Sequence, residues 1–166
     1  MSILHYACIN EWYEVVIMIL DKMTEYSINI IDKYNETILT HVCQNKWLDI
    51  ANKIIHKITH KTLNHINNSN HSAITLAYDN EWIEITNIMI PKMNDKNISF
   101  LLSNLCSKKN INAIINLIPI ISNESINYNK NILCIACKYN LTDIIDMLLP
   151  KCNEQTICQY YKLLNS

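Results

Sequence analysis

Seven cysteines and six histidines are the residues of this 166-residue chain best suited to metal or nucleophilic chemistry. Cys134-x-x-Cys137 has the spacing of half a zinc site, where two thiolates on adjacent helical turns reach one ion. The sequence offers no second pair to complete it. Cys8, Cys43, Cys106 and Cys137 instead occupy one position of a recurring pattern, on successive helices that pack about 8–10 Å apart. Zinc holds each sulfur at about 2.3 Å, so thiols strung along such a row do not converge on one ion. They are expected to pack as small buried apolar groups. His56 and His60 stand one helical turn apart. Their stretch reads HKITH, however, and lacks the glutamate of an H-E-x-x-H site, so a surface position is expected. No metal and no cofactor is expected.

Carboxylates recur as well, at Glu14, Asp49, Glu84 and Asp143. General acid–base work needs two of them to converge, whereas these lie one repeat apart, in first helical turns where a negative charge suits the helix N-terminus. The tryptophans Trp12, Trp47 and Trp82 could line a cation cage, but at the start of a helix in each repeat they are expected to pack between neighbouring repeats. The chain contains no glycine, which excludes a Gly-rich phosphate loop, and no Ser/His/Asp arrangement stands out. No catalytic residue is expected, and the chain reads as a non-enzyme.

Composition narrows the class further. Hydrophobic residues make up 49% of the chain, enough for a real core, and the net charge is −1. All 14 basic side chains are lysine. Sequence-specific nucleic-acid readers rely on bidentate arginine contacts, so no nucleic-acid partner is expected. No apolar run approaches the roughly 20 residues of a membrane span, and the N-terminal stretch MSILHYACINEW lacks the form of a signal peptide. The expectation is an intracellular, cytoplasmic protein with no membrane partner.

The elements that position these residues are repeated. NEWYEVV at Asn10 returns as NKWLDIA at Asn45 and NEWIEIT at Asn80. An anchor column runs through Ala7, Val42, Ala77, Leu105 and Ala136, with spacings of 35, 35, 28 and 31 residues. Pro91, Pro119 and Pro150, all the prolines there are, share another column. Five repeats follow, at about 1–31, 32–66, 67–98, 99–125 and 126–153, with a C-terminal capping helix in 154–166. Each reads as a short helix, a turn, a longer helix and a loop. Ser2, Thr37, Ser72 and Asn131 stand where N-caps belong. Asn10, Asn45, Asn80 and Asn140 are placed to close the first helix in a left-handed conformation. The second helix shows an apolar face, as at Ile50, Ile54, Ile55 and Ile58. The 28-residue spacing leaves too little chain for a projecting β-turn between Ile98 and Ser103. Ile157, Tyr160, Tyr161 and Leu164 are expected to lie over the last repeat.

Helix pairs at this period, opened by the phrases SILHYA, TILTHV, SAITLA and NILCIA, resemble the ankyrin-repeat family. The wording AC-x-N-x-W-x-E-V is similar to the ankyrin paralogues of large DNA viruses infecting amoebae. The chain departs from the family in lacking its proline in those phrases. It also has Asn35, Asn70 and Asn129 in place of the β-turn glycine, and Glu11, Lys46 and Glu81 in place of the glycine between helices. The resemblance implies an all-α ankyrin-type helical solenoid forming a single domain, 1–166. Its implied function is non-catalytic binding of a partner protein through a concave face, here a viral protein acting on a host factor. A structural component of a virion or larger assembly, or a decayed or partial paralogue, are the alternatives. The implied contact residues are Lys33, Tyr34, Glu36, Gln44 and Asn45; Asn68, Ser69, His71, Asp79 and Asn80; and Tyr128, Lys130, Lys138 and Tyr139. The first repeat starts directly in a helix with an apolar edge, which favours either self-association through that repeat or a missing upstream part; the alternative is a monomer.

Overall fold

A computed structural model describes residues 2–164, with side chains as far as Lys162. These residues are all-helical. Among them the only extended pairings are two isolated antiparallel bridges, Ile31 with Thr37 and Ile66 with Ser72. No helix among them is long and apolar enough to cross a membrane.

The chain divides into two compact units, one ending at Met93 and the other beginning at Asn94. The N-terminal unit contains α1 (Ile3–Ile9), α2 (Tyr13–Leu20), α3 (Glu25–Ile28), α4 (Ile38–Gln44), α5 (Leu48–Ile54), α6 (His60–Leu63), α7 (Ala73–Asp79) and α8 (Ile83–Met89). Helix α1 packs on α2 and α4, and α4 in turn on α5 and α7. The C-terminal unit contains α9 (Asp95–Ser107), α10 (Ile111–Leu117), α11 (Asn123–Tyr128), α12 (Ile132–Lys138), α13 (Thr142–Leu148) and α14 (Glu154–Leu164). There α9 packs on α10, α11 and α12, and α12 packs on α13 and α14.

Local chemistry explains each start and stop. Thr37 is extended, and its hydroxyl accepts the Thr40 N–H while the Thr40 hydroxyl accepts the Thr37 N–H. This reciprocal box satisfies two donors the helix cannot and launches Ile38, Leu39, Val42 and Cys43 into the core. Pro91 and Pro150 lie in 3-10 segments (Ile90–Lys92 and Leu149–Lys151) directly after α8 and α13. There a missing N–H and the ring's bulk stop the α-helix. Asn131 precedes α12 as expected, but at φ −95° and ψ 5° it makes no side-chain cap.

The closure of the first helices differs from the sequence expectation by one residue. Asn10, Asn45 and Asn80 keep ordinary negative φ. The left-handed residue is the next one: Glu11, Lys46, Glu81 and Lys109, at φ between 54° and 61°. Asn140, at φ 62°, belongs to that same column, so its spacing from Asn80 is one residue longer than the repeat. Asn35 and Asn70 are left-handed in their turns, whereas Asn129 is extended at φ −97° and ψ 96°.

Four supposed inter-repeat loops also contain a helix that the sequence reading lacks, beginning at Thr24, Thr59, Asn94 or Ser122, and the expected capping helix begins in the same way at Asn153; the five starts are spaced 35, 35, 28 and 31 like the anchors. In every case the side-chain oxygen accepts the N–H of the residue three further on. In the fourth repeat this helix and the following first helix are continuous. Ile98 and Ser103 both lie inside α9, and no hairpin separates them. The repeat is seven residues shorter than its predecessors, the length a projecting turn would use.

At the C-terminus, α14 buries Thr156 and half-buries Ile157 and Tyr160, but Tyr161 is exposed, contrary to expectation. The Leu164 side chain lies outside the described residues. Trp12, expected to pack between neighbouring repeats, is exposed too, as is Val15, whereas Val16 is fully buried.

Candidate functional site

Two turn tips of the N-terminal unit are built the same way. Asp32 Oδ1 accepts the N–H groups of Tyr34 and Glu36, at 2.8 and 2.9 Å. One repeat on, Asn67 Oδ1 accepts those of Ser69 and His71, at 3.0 and 2.8 Å. Each carbonyl-type oxygen thus folds a five-residue tip, with a left-handed Asn35 or Asn70 completing the reversal. The tips are tied together, since Asn35 Nδ2 donates to Asn68 Oδ1 at 3.0 Å and Asn67 Nδ2 donates to Glu36 Oε1 at 2.7 Å.

This geometry sorts the expected contact residues into two groups. Lys33, Tyr34, Gln44, Asn68, Ser69, His71 and Asp79 are exposed, and the Lys33 ammonium lies 4.8 Å over the Tyr34 ring. Glu36, Asn45 and Asn80 are turned to structural tasks. Glu36 also accepts from Gln44 Nε2. Asn45 Nδ2 donates to the Cys8 carbonyl at 2.7 Å, and Asn80 Nδ2 to the Cys43 carbonyl at 2.6 Å. Both bonds join one repeat to the one before. In the C-terminal unit Tyr128, Lys130 and Lys138 are exposed and Tyr139 is half-buried. Tyr128 ends α11 and Tyr139 caps α12, so Tyr128 and Lys130 sit at a helix end and not on a bridged tip.

A second set of asparagines, which the sequence reading left unassigned, links the short helices. Asn29 donates to the Lys57 carbonyl and accepts the Thr59 N–H, and Asn64 donates to the Lys92 carbonyl. Asn127 donates to the Lys151 carbonyl and accepts the Asn153 N–H and the Thr156 hydroxyl. The recurrence of Asn at 29, 64 and 127 was the available signal. Asparagine suits this place because one carboxamide both donates and accepts. Replacing Asn45 with alanine removes this tie between repeats, although the Cys8 carbonyl still accepts the Glu11 N–H, and is expected to destabilise the chain by about 0.5–1.5 kcal/mol in urea unfolding. Asn10, whose carboxamide bonds only its own helix at an exposed site, is expected to tolerate the same change within ~0.5 kcal/mol.

Three titratable groups of the N-terminal unit, His5, Asp32 and His41, form a buried cluster. His41 Nε2 lies 3.1 Å from Asp32 Oδ2. His5 packs edge-on against His41 at 5.9 Å, with Nδ1 2.9 Å from Ser2 Oγ. Burial drives the His5 imidazole down to about 4, against a partial pull upward from Asp32. Burial would raise the Asp32 carboxyl, but the hydrogen bonds from Glu36, His41 and Tyr34 outweigh it and hold it below the usual range.

Cysteine thiols show the opposite of nucleophilic activation. Burial pushes Cys8 and Cys106 up to about 12 and Cys152 up to about 11, and it raises Cys43 and Cys134 as well. A thiol so placed holds its proton at neutral pH. Among the described residues no three His, Cys, Asp or Glu side chains gather in a way that would hold a metal ion. His56 and His60 are exposed, and His60 Nδ1 lies 3.1 Å from the Lys92 carbonyl. The tryptophans brace rather than cage. Trp47 meets Tyr13 of the preceding repeat edge-on at 5.5 Å, while Trp12 meets Tyr6 of its own repeat. No family model, no curated protein and no solved structure matches this chain.

Proposed function

We propose that this chain is an ankyrin-type repeat scaffold that performs no catalysis and binds a partner protein through the tips and first helices of its N-terminal unit. The observation that carries this reading is the pair of tied tips. Lys33, Tyr34, Asn68, Ser69 and His71 are exposed on turns whose backbones are held by Asp32, Asn67 and the Asn35–Asn68 bond. A polar, varied surface with an aromatic residue on a rigid support suits recognition of a protein, because little ordering entropy is lost on binding. The ankyrin assignment is supported by the left-handed column between helices and by the bridged turns that open the second and third repeats. Tyr128, Lys130 and Lys138, with the half-buried Tyr139, supply a second set in the C-terminal unit.

The test compares three immobilised proteins against one cell extract, with bound proteins quantified by mass spectrometry. These are the natural chain, a Tyr34→Ala/His71→Ala variant, and a control Lys53→Ala variant on α5. A partner retained by the natural chain and the control is expected to fall at least about tenfold on the tip variant, since an interface aromatic accounts for more than about 1 kcal/mol. Equal retention by tip variant and control defeats the proposal.

A further inference from the structure

Cys134 and Cys137 stand on successive turns of α12, and only the second belongs to the cysteine column of the repeats. Cys134 takes the place of Thr40 and Thr75, which close reciprocal boxes with Thr37 and Ser72. Asn131 makes no side-chain cap before α12, so Cys134 has no such task. On an α-helix, residues three apart have Cα atoms about 5 Å from each other, inside the about 4.4–6.8 Å that a disulfide spans. The two thiols differ in access, since Cys134 is buried and Cys137 half-exposed. They meet one side chain of the helix packed against them. The Tyr160 hydroxyl of α14 donates to the Cys137 sulfur and lies near Cys134 as well. The remaining thiols stand apart: Cys8, Cys43 and Cys106 are buried, and Cys158 is exposed. Cys158 lies two residues before Tyr160, so it faces away from the side of α14 that Tyr160 presents to α12.

We propose that Cys134 and Cys137 are a redox-reactive pair, which a low-molecular-weight disulfide such as glutathione disulfide converts into a bond within α12. The Cys137 thiolate attacks one sulfur of the reagent, forming a mixed disulfide and releasing a glutathione thiolate, which takes up a proton. The Cys134 thiol gives its proton to solvent and its sulfur attacks that of Cys137, displacing the second glutathione. Two protein thiols are thereby oxidised and one glutathione disulfide is reduced to two glutathione molecules. The bond has a structural consequence. Side chains three apart on a helix hold their Cβ atoms about 5–6 Å from each other, whereas a disulfide needs about 3.5–4.5 Å. Closure therefore tightens the last turn of α12 beneath Tyr160. The start of α14 has separate anchors, because Thr156 bonds Asn153 and Asn127. Loosening is thus confined to the part of α14 that carries Tyr160.

Treatment of the full chain with glutathione disulfide, then alkylation of the remaining thiols and peptide mass spectrometry, tests the proposal. The peptide spanning 134–137 is expected to lose two hydrogens and escape alkylation, Cys158 to gain one glutathione, and Cys8, Cys43 and Cys106 to stay reduced. A Cys134→Ser variant is expected to stop at a glutathione adduct on Cys137. A Cys158→Ser variant, changed at an exposed site, is expected to oxidise its pair as the natural chain does. Hydrogen exchange is read on that variant, where no adduct sits on α14. Oxidation is expected to quicken exchange over residues 158–162 and leave 154–157 as they were. An unreacted pair in a natural chain whose Cys158 is modified, a bond from either thiol to another cysteine, or unchanged exchange over 158–162 each overturns the proposal.

Discussion

Replacing Asp32 with alanine is expected to destabilise the N-terminal unit by about 3–4 kcal/mol, measured by urea unfolding at pH 7. One carboxylate does three jobs, since Oδ1 accepts two turn N–H groups and Oδ2 pairs with His41. The carboxylate is fully buried, so water cannot easily replace it, and each stranded group costs about 1–3 kcal/mol. Asp32→Asn separates the roles. Asn67 holds the next tip with the same oxygen, so the asparagine variant is expected to keep the turn and lose only the carboxylate's contact with His41, at less than half the cost. The cluster also sets the acid limit. His5 is held near 4 when folded and titrates near 6.5 when unfolded. The unfolded chain therefore takes up the proton first, and stability is expected to fall as pH drops from about 6.5 to about 4, by roughly 3 kcal/mol. The depressed Asp32 carboxyl adds to the loss at still lower pH, in the same direction. His5→Thr, which copies Thr40 and Thr75 in the later repeats, is expected to flatten the slope between those values.

A triple variant Glu11→Gly, Lys46→Gly, Glu81→Gly is expected to gain about 2–3 kcal/mol, a rise of about 5–10 °C in Tm by calorimetry. All three are left-handed, at φ 56°, 59° and 61°. A Cβ in that region crowds the backbone by roughly 1–2 kcal/mol, which glycine avoids, less the ~0.4–1 kcal/mol of chain freedom that glycine adds to the unfolded state. All three side chains are exposed, so little packing is lost. Asn70→Gly provides the contrast. Asparagine tolerates the left-handed region better than glutamate or lysine, and the gain there is expected to be only a few tenths of a kcal/mol.

The repeats were legible because their strongest signals are steric: helix-stopping prolines, and apolar columns at Ala7, Val42 and Ala77 that admit nothing polar. The short helices were not, because α3 and α6 have four residues each. Each carries a single large apolar side chain in the core, Ile28 or Leu63, so neither generates a helical period. Asparagine was the harder case. It closes helices, reverses turns and bridges repeats with one carboxamide, and sequence alone does not separate these uses. Hence Asn45 and Asn80, read as closing their helices in a left-handed turn, keep negative φ in the structure. They donate across a repeat junction while Lys46 and Glu81 take the left-handed position. The exposed tips were legible from the turn residues around Asn35 and Asn70, but the inward turn of Glu36 depends on Asn67 in the next repeat, 31 residues away.

In the proposed division of labour within the N-terminal unit, recurring columns hold the repeats together and the tips meet a partner. Hydrogen exchange of the chain with and without its captured partner measures this directly. Slowed exchange is expected at residues 33–36 and 68–71 and along the exposed sides of α4 and α7, with α5 and α8 unchanged. Slowing confined to α5 and α8, with the tips unaffected, would contradict it.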